Sequence, residues 1–101
     1  MKLSELRSAM VENNVVFEEL LLLDMIRDME AQTQWELGVK IMDVVTLASS
    51  SKISSPATTF KYIAHLNSKT LLSKEQSEKD ARTTLVSVTS VGKKLLEKID
   101  G

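Results

Sequence analysis

With a single histidine, no cysteine and only three glycines, this 101-residue chain has little equipment for making or breaking bonds. It has no glycine-rich phosphate loop and no metal-ligand spacing. Catalysis, a resident metal and a cofactor are therefore not expected. The lack of cysteine also removes disulfides, cysteine zinc ligands and thiol redox sensing. What remains is charge. Residues 1–45 carry four basic side chains (Lys2, Arg7, Arg27, Lys40) against nine acidic ones, whereas residues 46–101 carry nine basic against five acidic. A net charge of −1 thus conceals an acidic and a basic half. Such polarisation suits a chain whose basic half faces a polyanion, with nucleic acid the first candidate. The acidic half could equally dock a protein.

The bilayer is excluded as a partner by length. Leu20-Leu21-Leu22-Leu23 is flanked by Glu18, Glu19 and Asp24, far short of the roughly 20 apolar residues a span needs. The start, Met1 to Arg7, has no uninterrupted hydrophobic stretch behind a basic residue, so a cytoplasmic protein is expected. At 43% hydrophobic and 27% charged residues, with one proline, the composition is that of a folded, helix-rich chain. A single domain over residues 1–101 follows from the length.

The elements that must position any binding surface can be read from spacing. Leu3, Leu6 and Met10 recur at helical intervals, and Asn13-Asn14 then offers a break and an N-cap for a second helix from about Val15 to Met29. The four leucines of that helix sweep about 300° of its circumference. It should be covered on several sides, as the central helix or at a subunit contact. Thr33 and Glu36 fit a capping box for a third helix, with Trp35, Gly38, Ile41, Met42, Val45 and Ala48 on one stripe and an end at Ser49-Ser50-Ser51. Trp35, Met25, Ile26, Met29 and Met42 are expected in the core. Ser55 as N-cap and Pro56 at the first helical position start a fourth helix running to about Ser68. Beyond the charged loop Lys74 to Asp80, Thr84, Val86 and Val88 alternate with Thr83, Leu85 and Ser87 as in a strand, with Leu71 to Lys74 as its partner. A last helix covers about Ser90 to Ile99.

Four helices, a two-stranded hairpin and a helix make a winged helix-turn-helix, an α+β fold that is mostly helical. Residues 1–32 would supply the N-terminal helices, and 33–101 the helix-turn-helix and wing. In that architecture the helix near residues 55–68 lies in the major groove. Ser55, Ala57, Thr58, Lys61, Tyr62 and His65 are then the candidate contacts, Ile63 and Leu66 point to the core, and Phe60 falls between the two faces.

Several stretches also resemble one family. Leu47-Ala48, Ile53 to Leu66 and Leu71-Leu72, then Lys74, Asp80-Ala81-Arg82 and Val86 to Gly92, look in order and spacing like MarR-type transcriptional regulators over about residues 46–99. The resemblance implies a DNA-binding regulator, with double-stranded DNA as partner and a wing near residues 71–89 in the minor groove. It implies that Arg82 enters that groove, held by a bidentate pair with Asp80, while Lys74 and Lys79 contact phosphates. There are departures. Thr70 stands where the family usually has glycine, Ser54-Ser55 adds a residue between the two helices, and only Lys93 to Gly101 follow Gly92 where the family continues into a long dimerisation helix. Homodimerisation is therefore expected through the N-terminal helices and their leucine cluster. A different reading of the same fold is a protein-binding adaptor in a transcription or replication assembly, docking through the acidic N-terminal half.

Overall fold

The computed structural model describes residues 2–32 and 38–100. The Thr33–Glu36 capping box and Trp35 lie outside them.

Helix α1 (Leu3–Asn13) and helix α2 (Phe17–Gln32) open the fold. Asn14 ends the first helix instead of capping the second. It sits in the left-handed region at φ 52°, and the Val15 and Asn14 N–H groups donate back to Met10 O and Val11 O in a Schellman turn. The cap of α2 comes from Glu19, whose Oε1 accepts the Val16 N–H at 3.0 Å, which is half of a capping box. Of the four leucines, Leu20, Leu22 and Leu23 are buried within the chain and Leu21 is 38% exposed. The apolar girth of α2 is thus used internally: it touches β1 (Val39–Lys40), helix α4 (Pro56–Ser68), β3 (Thr84–Val88) and helix α5 (Ser90–Asp100). Three of the four leucines are accordingly engaged within the chain, and Leu21 alone stays accessible.

The sheet has three strands in the order β1-β3-β2, all antiparallel, with β2 spanning Leu72–Gln76. Two were expected. The register pairs Leu72 with Val88 and Gln76 with Thr84 across the hairpin, and Val39 with Val86 on the other side. The short β1 corrects the third helix, which spans only Ile41–Ser50 (α3) and cannot include Gly38. Gly38 has φ +148°, a conformation for glycine, and a Cβ there would lie 3.0 Å from Val86 O. With the stripe broken at Gly38, Met42 faces solvent and is not core. Ile26 is fully buried, and Met25 and Met29 pack partly buried against the core.

Helices α3 and α4 also end in Schellman turns, with Lys52 (φ 59°) and Thr70 (φ 60°) in the left-handed position. At the second, the Leu71 N–H reaches Leu66 O at 3.0 Å and the Thr70 N–H reaches Asn67 O at 3.1 Å. The turn into the wing therefore keeps the left-handed geometry that glycine usually provides.

Candidate nucleic-acid interface

Helix α4 runs from Pro56 to Ser68 with Ser55 as its N-cap, as the Ser-Pro pair predicts. Ser55 Oγ accepts the Thr58 N–H, and its hydroxyl donates to Thr58 Oγ1 at 3.0 Å. Thr59 is fully buried. Its hydroxyl donates to Ser55 O at 2.8 Å and lies 2.6 Å from Ser54 Oγ, so the extra residue of the turn serves to tie the start of α4 to the loop before it. The inward face is Thr59, Ile63 and Leu66.

The outward face carries Ala57, Phe60, Lys61 and Ala64, with Thr58 half-buried. Ser55, Ala57 and Lys61 are therefore accessible as expected, and Phe60, 43% exposed, belongs to the same outer surface. Tyr62 packs at the margin of the core. His65 is turned toward α2, where its Nδ1 lies 2.6 Å from Oε2 of Glu19, a carboxylate that is only 2% exposed. This link holds the last turns of α4 against the first turn of α2.

The wing is the hairpin of β2 and β3, closed by residues 77–83. Its tip is organised by short polar side chains bonding to nearby backbone. The Ser77 N–H donates to Thr83 O at 2.8 Å, and the Lys79 N–H to Ser77 Oγ at 3.2 Å. Asp80 receives the Arg82 N–H at 3.0 Å and the Thr83 hydroxyl at 3.3 Å. The Arg82 backbone N–H first, then the Arg82 and Thr83 side chains and the charge of Lys40, hold the Asp80 carboxyl below its usual range. The Arg82 guanidinium meets Asp80 only through Nε, at 3.4 Å, with its side chain 93% exposed. The expected bidentate pair does not form, because the carboxylate is already engaged by the turn. Lys74 and Lys79 are exposed on the strand and at the tip.

Two further cations escaped the sequence reading. Lys40 is exposed on β1 and close enough to act electrostatically on Asp80, and Lys52 is exposed at the left-handed turn before α4. A two-residue strand has no periodicity to read, so nothing marked Lys40. Among the described residues no group of three or more His, Asp or Glu side chains is placed to hold a metal, and no helix is long and apolar enough to cross a membrane.

No family model and no curated protein sequence matches this chain. Solved structures do. MarR superposes with a TM-score of 0.73 at 17% identity over 95% of this chain and 62% of its own. MepR from S. aureus, in a complex with DNA, gives 0.74 at 18% identity over 96% and 71%. BpsR from Bordetella bronchiseptica, whose DNA binding is regulated by 6-hydroxynicotinic acid, gives 0.69 at 21% identity over 95% and 61%. The chain thus spans about three-fifths of the length of MarR and BpsR. At such identities the likeness is one of architecture, and in architecture this chain is a MarR-type winged helix-turn-helix.

Proposed function

We propose that this protein is a DNA-binding transcriptional regulator, with α4 in the major groove and the 77–83 hairpin tip in the minor groove. The observation that carries the reading is the wing tip. A turn built by Asp80 projects the Arg82 guanidinium into solvent, where a narrow, electronegative groove would attract it. The exposed N-terminal half of α4 and the basic balance of residues 46–101 support the same partner. Lys61, Lys74 and Lys79 would neutralise phosphates, while Ser55, Ala57 and Thr58 lie nearest base edges. Pairing of two copies through α1 belongs to this proposal, since a two-fold dimer suits a palindromic site.

Titration of duplex DNA at several salt concentrations tests the reading. Arg82→Ala should lose about 1–3 kcal/mol of affinity for a bound duplex while remaining folded. Lys79→Ala should weaken all sequences alike and reduce the salt slope by about one unit. Lys2→Ala, on the acidic half, serves as the reference. If Arg82→Ala and Lys2→Ala behave the same, the minor-groove role is wrong. The protein-binding adaptor, docking through the acidic N-terminal half, then becomes the better account.

A further inference from the structure

Along the first three turns of α4 the outer face carries Lys61 alone among the side chains that usually read purine edges. Between Ser55 and Leu66 there is no Arg, Asn, Gln, Asp or Glu, so the paired contacts of Asn or Gln to adenine, and acceptance from cytosine, are unavailable there, and Asn67 follows only in the last turn. What α4 offers instead is an apolar stripe. Ala57, Phe60 and Ala64, at i, i+3 and i+7, are all exposed, with Lys61 beside them. Three polar groups near the stripe are engaged within the chain: Ser55 and Thr58 bond to one another, and His65 is held by Glu19. Phe60 is 43% exposed although its neighbour Thr59 is fully buried. A phenyl ring held outward on a rigid, capped helix between two alanines is accessible to a flat apolar partner, and the small neighbours let the backbone come close to it.

In the major groove one base presents such a partner: thymine, through its 5-methyl group. Resting on the DNA-binding reading above, we propose that α4 recognises thymine by its methyl groups, with Phe60 as the specificity-determining residue and Ala57 and Ala64 widening the contact. Lys61 supplies attraction to the backbone or to a guanine edge and does not distinguish thymine from uracil. The bound sites are accordingly expected to carry thymine at positions facing Phe60. A protein partner for the same stripe is the competing account, and it makes no use of a methyl in the groove.

The test uses the full chain and duplexes selected from a random pool. Each thymidine of a selected duplex is then replaced in turn by deoxyuridine, which removes only the methyl. One or two positions per half-site should weaken binding roughly fourfold each, the ~0.8 kcal/mol of one buried CH2 converted at ~1.4 kcal/mol per decade. Phe60→Ala should bind the thymidine duplex and the deoxyuridine duplex equally, whereas Lys61→Ala should weaken both and keep their ratio. Phe60→Leu, which keeps an apolar side chain, should retain part of the difference. If the wild-type protein binds a selected duplex but is indifferent to every replacement, the methyl readout is overturned while DNA binding stands. If no duplex binds even at low salt, the DNA-binding reading itself fails. A normal thymidine-to-uracil ratio in folded Phe60→Ala also overturns the assignment, and points to a protein contact on that ring.

Discussion

At the scale of single residues, Thr70 sits in a backbone conformation to which its side chain is poorly suited. A left-handed φ of 60° crowds the Cβ of any L-residue, at a cost of about 1–2 kcal/mol, and branching leaves little room to relieve it. The strain persists because both ends of the turn are anchored. Its N–H closes the Schellman turn, its carbonyl accepts the Thr89 hydroxyl, and its own hydroxyl donates to Lys69 O at 2.6 Å. Thr70→Gly should therefore raise stability by about 1 kcal/mol, the relief exceeding the added flexibility of the unfolded chain. A urea midpoint that rises with unchanged slope would bear this out, and a fall would show that the hydroxyl matters more than the strain. The Arg82 and Phe60 substitutions belong to the same scale, since each removes one side chain from a surface that remains folded. The wing pair also shows how far spacing reaches. Asp80-x-Arg82 is visible in the sequence, but competition for the carboxylate is decided by the turn, where backbone N–H groups arrive first. Phe60 was ambiguous for a similar reason. One helical turn places it between faces, and only the position of the core settles which face is outside.

At the scale of elements, α5 leans on the sheet through Gly92. A Cβ there would press on the carbonyl of Leu71 and stand 2.8 Å from Val88 Cγ1, so a side chain can enter only if α5 lifts away. Gly92→Ala should destabilise by about 1–3 kcal/mol, even though alanine is the better helix former by about 1 kcal/mol. Thermal unfolding checks it, and an unchanged or higher midpoint would mean the helix can yield. The elements also differ in how plainly they are written. Helix α4 was legible because Ser55-Pro56 is chemical punctuation acting on its own backbone, and β3 because alternation shows over five residues. Strand β1 was not, since two residues carry no period and their partner, Val86, lies far along the chain. Leu85 departs from strict alternation for the same reason: it is buried where Gly38 comes against it. The start of α2 is ambiguous in the sequence because Asn14 suits the end of one helix as well as the beginning of the next.

For the whole molecule, the two most exposed large apolar side chains among the described residues both lie on α1. Leu3 is 83% exposed and Val11 72%, on one side of α1 together with Ser4, Arg7, Ser8 and Glu12. Sedimentation at tens of micromolar, an order-of-magnitude choice above typical dimer affinities, should show a dimer that Leu3→Glu combined with Val11→Glu converts to monomer. A monomeric wild-type protein would remove the pairing from the proposal. Within one chain, cohesion centres on α2, whose side chains reach three later elements. Glu19 meets His65 of α4, Glu30 accepts the Val88 N–H of β3, and Arg27 bonds to Asp100 of α5 at 2.9 Å. These links join residues 46, 58 and 73 positions apart. On a ribosome, α2 emerges well before any of those groups, and its buried carboxylate waits for a histidine not yet translated. The nascent N-terminal helices can hold no more than transient structure until the last helix clears the exit tunnel, so the domain should close in one late event and not build up as it is made.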